Sequence, residues 1–293
     1  MKRRFPLLSI PAVAALIAGC AASSGGGGTS NGGTGPGGNS SAAPSCTPQT
    51  MDTHTAGELT VATDSPAYPP WFIDNKPSNG KGYESAVAYA VAKQLGYSRD
   101  QVKWVVAPFN SVIAPTPKNF DFDINQVSIT EKRAQAVDFS SGYYDVAQSI
   151  VALKDNKYAN ATSIADLHGA KLGAQQGTTS FDAINNVIKP GTTPAEYPTN
   201  NLAVQALKNG TIDGLVVDLP TGLYITAAQV DNSKIVGQLP AGPQPEQFGL
   251  VLDKGSSLTP CVTQAVDALR ANGTLDKLQQ RWLTSAAGAP VLK

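Results

Sequence analysis

Three short stretches of this chain carry side chains suited to holding a small zwitterion. Ser128-Ile129-Thr130-Glu131-Lys132-Arg133 follows an apolar run and leads into Val137-Asp138-Phe139-Ser140. It sets hydroxyls and backbone N–H groups at the start of a helical turn, and the Arg133 guanidinium can take a carboxylate in a two-pronged grip. Downstream, Gly177-Thr178-Thr179 reads as a helix start, where free N–H groups and the dipole favour an anion. Asp218 reads as the end of a strand. An unpaired buried carboxylate is costly, so Asp218 calls for a cation, and a ligand ammonium would serve; capping a helix ahead of Pro220 is the competing role. Singly, Arg133 reads equally as a solvated surface arginine and Thr178 as a plain N-cap. Jointly, an arginine for a carboxylate, hydroxyls beside it and an aspartate for an ammonium describe an amino-acid site.

Strand ends are where such residues meet a ligand in α/β proteins. Glu58 to Thr63 alternates as a strand and delivers Asp64 into the stiff loop Ser65-Pro66-Ala67-Tyr68-Pro69-Pro70-Trp71-Phe72. Tyr68, Trp71 and Phe72 are aromatic candidates for ligand contact, with packing under the loop as the alternative. A strand over Val102 to Val106 leads to Phe109, placed to stack on a cationic or amide side chain or to serve as a core aromatic. Phe120 to Val127 is predicted to be a strand whose end brings Gln126 and Ser128 to the same edge.

Helices are predicted over Gly82 to Leu95, Thr178 to Ile188, Asn201 to Lys208, Thr259 to Ala271 and Thr274 to Leu283. Further strands are predicted over Val146 to Leu153, Lys171 to Gln175, Gly214 to Val217 and Gln247 to Asp253. This alternation implies α/β architecture with largely parallel sheets flanked by helices.

The ordered set Gly57-Glu58-Leu59-Thr60-Val61-Ala62-Thr63-Asp64, Gly82-Tyr83-Glu84, Ser128 to Arg133, Val137 to Ser140, Gly177 to Thr179 and Asp218 resembles the family 3 extracellular solute-binding proteins, the polar amino-acid receptors of ABC importers. The resemblance runs from about Gly57 to Leu283. It implies a two-lobed type II periplasmic-binding-protein-like fold, each lobe a mixed sheet flanked by helices, joined by two hinge strands. Lobe 1 is then discontinuous over 46–151 and 248–284, lobe 2 covers 152–247, and 285–293 is a frayed tail. The implied ligand-binding set is Asp64, Tyr68, Trp71, Phe109, Gln126, Ser128, Arg133, Thr178, Thr179 and Asp218. Tyr68 stands one residue beyond the family's usual tyrosine, and Gln126 carries a longer side chain than relatives place there, suited to the ligand side chain. Asp64 with nearby aromatics favours a ligand with a basic or amide side chain. Closure of the lobes would deliver that amino acid to an ABC permease. A prephenate or arogenate dehydratase on the same scaffold is the alternative, with Glu84, Glu131 or Asp64 as its acid or base.

The N-terminus has Lys2, Arg3 and Arg4, an apolar core from Phe5 to Ile17, then Ala18-Gly19-Cys20, which resembles a lipoprotein signal over 1–19 with Cys20 as the lipidated residue. Residues 20–45 are almost wholly Gly, Ser, Ala, Thr, Asn and Pro, a flexible tether with a mean reach on the order of 25 Å. The expected location is therefore extracytoplasmic, anchored to the membrane by lipid. In an exported chain, Cys46 and Cys261 are expected to bridge, with two separate buried thiols as the other possibility.

Loss of Lys2, Arg3 and Arg4 with a leader would move the balance from 22 basic and 22 acidic residues to a net of about −3, which does not suggest a nucleic-acid surface. Nucleotide-loop, zinc-protease and serine-hydrolase motifs are missing, and His54 and His168 sit outside the motif set. No cofactor or metal is expected, and the receptor is expected to be a monomer.

Overall fold

Two five-stranded sheets, each crossed by helices, organise the chain. The computed structural model describes residues 45–283 and 289–293, so the expected signal over 1–19, Cys20 and most of the 20–45 tether lie outside the described residues. In chain order the elements are β1 (Leu59–Thr63), α1 (Tyr83–Gln94), β2 (Val102–Val106), α2 (Phe109–Val112), β3 (Phe122–Asp123), α3 (Glu131–Ala134), β4 (Asp138–Val146) and β5 (Gln148–Leu153). There follow β6 (Leu172–Gln175), α4 (Thr179–Ala183), β7 (Ala195–Tyr197), α5 (Asn200–Lys208), β8 (Gly214–Asp218), α6 (Leu219–Tyr224), β9 (Ser233–Gln238), β10 (Glu246–Leu252), α7 (Thr259–Ala271) and α8 (Thr274–Leu283).

The first sheet has the order β2-β1-β3-β10-β4, and the second β7-β6-β8-β5-β9. In the first sheet β1 runs parallel to β2 and β3, whereas β10 runs antiparallel to β3 and β4. In the second, β6 is parallel to β7 and β8, and β5 is antiparallel to β8 and β9. Both sheets are therefore mixed, and the strand order passes the chain from one to the other at Ala147 and again between Gln238 and Glu246. The run predicted as one strand from Val146 to Leu153 is broken there, its first residue closing β4 and the remainder forming β5.

The first lobe packs α1, α7 and α8 over one sheet face around Leu59, Val61, Tyr83, Phe122, Phe248, Val262 and Leu269, all at most 4 % exposed. Gly82 starts α1 at φ +97°, and a Cβ there would run into the Trp71 carbonyl; only glycine lets the proline-rich loop lie against the helix start. Cys46 and Cys261 form a disulfide with Cα atoms 5.4 Å apart, tying the segment ahead of β1 to α7 as expected. In the second lobe, aliphatic side chains fill both faces of the sheet, Ile150, Leu172 and Val216 on one side and Val151, Leu215 and Val217 on the other.

Two expectations are corrected. The strand predicted over Phe120 to Val127 is only Phe122–Asp123. Gln126 takes a left-handed φ of +50°, which breaks the ladder and turns the chain toward Ser128. The end of the chain is not frayed over 289–293. Leu292 is 2 % exposed in the second core, and its N–H donates to the Gln238 carbonyl at 2.9 Å. Gln238 N–H in turn donates to Pro290 O at 2.7 Å, and Ile164 N–H to Lys293 O at 2.9 Å. Edge strand β9 offered unpaired backbone groups, and the tail satisfies some of them.

Candidate functional site

The strand ends of both sheets converge on one cavity of about 330 Å³, a volume suited to a small molecule. Eight of the ten candidate residues line it: Asp64, Tyr68, Phe109, Gln126, Arg133, Thr178, Thr179 and Asp218. Two do not, and each is diverted for a visible reason.

Arg133 occupies the first turn of α3, whose N-cap Thr130 accepts the Arg133 N–H through Oγ1 at 3.1 Å. That cap aims the side chain inward. Nη1 donates to Ser128 O at 2.7 Å and Nη2 to Gly177 O at 2.9 Å, the second bond crossing between the lobes. Each nitrogen keeps another N–H, and the fixed planar fork suits a carboxylate. The guanidinium lies 5.4 Å from the Phe109 ring centroid, so this aromatic faces the arginine. Burial lowers its pKa, opposed by Glu246, Asp182 and Asp218, and it stays a cation.

Asp218 ends β8 and precedes α6, where proline occupies the first turn. Its side chain makes no capping bond, so the cap reading fails. Instead Oδ1 accepts from Gln148 Nε2 at 2.9 Å. Asp218 keeps partial exposure to the cavity, yet lies deep in the protein, and burial pushes its carboxyl up to about 8. The adjacent Glu246 adds to the rise, whereas Arg133 and the Gln148 bond oppose it.

Asp64 joins two loops. Its Oδ1 accepts Ser65 N–H at 2.7 Å and its Oδ2 accepts Phe109 N–H at 3.3 Å, leaving the carboxylate at the cavity wall. Tyr68 reaches across to Asn201 of α5, a partner the sequence reading missed, and burial raises its phenol pKa. Thr178 is both N-cap and wall: its Oγ1 accepts Phe181 N–H at 3.2 Å and donates to Gln175 O at 2.7 Å.

Gln126 has a different job from the one expected. Its backbone N–H and its Nε2 both donate to the Glu84 carboxylate, the first at 2.8 Å, so its amide nitrogen locks the loop. Tyr143 also donates to Glu84, and Tyr83 donates to Tyr143 O at 2.7 Å. Glu84 is fully buried, and burial pushes it up to about 7.

Trp71 is turned into the core. At 1 % exposure it packs edge-on against Tyr83, Tyr144 and Phe248, and its Nε1 donates to Thr221 Oγ1 of the second lobe at 2.9 Å. Phe72 takes the place at the wall. Ser128 is 1 % exposed, and its hydroxyl meets Glu246 Oε1 at 2.5 Å and Thr179 Oγ1 at 3.2 Å. It therefore closes the seam between lobes behind the cavity. Gln148 and Glu246 are not among the candidate residues; Gln148 lies within the predicted strand Val146 to Leu153, whereas Glu246 stands one residue before the strand predicted over Gln247 to Asp253 and opens β10 in the structure.

The sequence pattern of the bacterial extracellular solute-binding proteins, family 3, matches residues 59–285. The L-arginine-binding protein of Pseudomonas aeruginosa is 28 % identical over 247 residues, covering 77 % of this chain and 90 % of that protein. The L-cystine-binding protein of Escherichia coli is 28 % identical over 242 residues, covering 81 % and 85 %. A solved structure of an ancestral arginine-binding protein bound to glutamine superposes with a TM-score of 0.65 at 32 % identity, covering 78 % of this chain and 99 % of that one. Sequence pattern, mixed-sheet topology and cleft agree: this chain belongs to the bacterial extracellular solute-binding proteins of family 3.

Proposed function

We propose that this protein captures an amino acid with a basic or amide side chain outside the cytoplasm and hands it to an ABC permease, held to the membrane by a lipid on Cys20. The carrying observation is charge placement in a single cavity. Arg133 faces it from the first lobe and Asp218 from the second, while Asp64 stands at the wall. A zwitterion balances Arg133 and Asp218, and a cationic or amide side chain suits Asp64. Arginine-binding relatives support that choice.

Function follows from where the two gripping groups sit. Arg133 can take the ligand carboxylate on one lobe, but the ammonium meets Asp218 only when the other lobe is against it. Ligand then favours the closed state by contacts made nowhere else. Charge-assisted hydrogen bonds contribute roughly 1.5–3 kcal/mol each, and micromolar affinity needs about −8 kcal/mol. Two such anchors and the direct bonds Trp71 to Thr221 and Arg133 to Gly177 O are of the right order. A membrane tether would raise the local concentration of loaded protein at its permease. Among the described residues no helix is long and apolar enough to cross a membrane.

Carriage rather than catalysis is favoured by the fate of Glu84, which is buried away from the cavity with both carboxylate oxygens accepting hydrogen bonds. A thermal-shift screen against the twenty amino acids, prephenate and arogenate tests the reading, because a ligand stabilises the folded state by mass action. Arginine, lysine, histidine or glutamine should raise the melting temperature most. A response confined to prephenate or arogenate, with turnover, would overturn it in favour of the dehydratase. Mass spectrometry of the membrane-bound protein should find a diacylglyceryl group on Cys20, and an unmodified thiol there would refute the anchor.

A further inference from the structure

The hinge strands contribute a polar group of their own behind the cavity. Gln148, the first residue of β5, donates through Nε2 to Asp218 Oδ1 at 2.9 Å and to Glu246 Oε2 at 3.2 Å, while its Oε1 accepts from Ser180 Oγ at 2.7 Å. Glu246, the first residue of β10, is also bonded by Ser128 of the first lobe. With Oε1 accepting from Ser180, the Gln148 amide is oriented by a bond of its own, so its nitrogen must face the acids. Two carboxylates are thus held against one nitrogen, within about 6 Å of each other, a distance at which like charges oppose ionisation.

We infer that Glu246, through the Gln148 amide it shares with Asp218, is a positioning residue for the ligand ammonium and couples capture of that ammonium to release of a proton from Asp218. The inference rests on the amino-acid reading of the cavity. Gln148 orients the Asp218 carboxyl, and Glu246 sets a second carboxylate beside it that lies outside the cavity wall. Glu84 from α1 adds a weaker opposing charge, and Arg133 from α3 is the cation facing Asp218. The Arg133 bonds given above go to backbone carbonyls, so its charge reaches Asp218 only through space. In the closed cleft without ligand, Asp218 therefore holds its proton at neutral pH. An arriving ammonium replaces the proton: the O–H bond breaks, the carboxylate takes the ammonium N–H, and the proton leaves to solvent or buffer.

The sign follows. Low pH opposes capture because a proton must be removed from Asp218, so affinity rises with pH until Asp218 ionises unaided near pH 8.

Calorimetry of L-arginine binding at pH 7 in phosphate, HEPES and Tris buffers, whose ionisation heats differ, counts the protons exchanged. The wild type should release more than about half a proton per arginine bound, and its affinity should rise several-fold per unit from pH 6 to pH 8. Asp218→Asn should abolish the release. Glu246→Gln should shrink it and flatten the pH profile, and Glu246→Asp should restore part of it. Arginine binding by the wild type without proton release would overturn the inference, as would a Glu246→Gln protein that releases as much as the wild type. Absence of binding by arginine, lysine, histidine and glutamine would overturn the ligand reading itself, which separates the two failures.

Discussion

The two lobes hold their share of the cleft by different means. The first is stiffened around an aromatic cluster, Trp71, Tyr83, Tyr143, Tyr144 and Phe248, whose neighbouring rings lie 5.5 to 6.3 Å apart, and it is closed covalently by Cys46 and Cys261. Inside it, Glu84 draws Gln126 and Tyr143 into one network that fixes the loop leading to Ser128 and Arg133. The second lobe has aliphatic cores on both sheet faces, and residues 289–293 bond to the end of its edge strand β9. Its gripping acid, Asp218, accepts one amide bond at 2.9 Å. A stiffened platform thus presents a cation bonded to backbone carbonyls of both lobes, while the second lobe presents an acid held by the Gln148 amide.

Breaking the platform's grip should have the largest effect. Arg133→Ala removes the charge-assisted bonds to the ligand carboxylate and leaves Ser128 O and Gly177 O without that donor. Affinity for the cognate amino acid should fall at least 100-fold, about 3 kcal/mol, with the circular dichroism spectrum unchanged. Calorimetry that found near-normal affinity would remove Arg133 from the site.

Severing the covalent closure should cost stability and spare binding. Cys46→Ser with Cys261→Ser opens a loop of sequence separation 215, and unfolding free energy should drop by about 2–4 kcal/mol. Because the bond lies at α7 rather than at the cavity wall, ligand affinity should stay within about twofold; a larger loss would mean the lobes share more strain than their separate cores suggest.

The smallest effect separates the platform's buried acid from that of the second lobe. Glu84 is raised in the folded state to about 7 from an ordinary 4.5, so its contribution is fully present below pH 4.5 and lost as pH rises through 7. Wild-type stability should decline over that window by up to about 3 kcal/mol from this group. Burial also raises Asp123 and Asp218, so the readout is the difference from Glu84→Gln, whose denaturation midpoints should fall less steeply between pH 5 and pH 7. Identical slopes would show that Glu84 is not the titrating group.

Much of this protein was legible in the chain. Alternation of Leu59 and Val61, the Thr130 cap three residues before Arg133, the strand ending on Asp218 and the two leftover cysteines are local patterns, set by backbone periodicity and by neighbours within a few residues. What the sequence could not decide was which distant side chain each group would face. Gln126 meets Glu84 across 42 positions, Gln148 meets Glu246 across 98 and Trp71 meets Thr221 across 150. A lone tryptophan after two prolines fits a cleft or a core equally well, and only the packing of Tyr83, Tyr144 and Phe248 turns it inward. Likewise the short tail Ala289-Pro290-Val291-Leu292-Lys293 reads as a frayed end until the open edge of β9 is there to pair with it. Local sequence determined the elements and the chemistry at their ends, whereas tertiary packing decided the partners, because burial leaves a polar group only the donors and acceptors that the fold brings within reach.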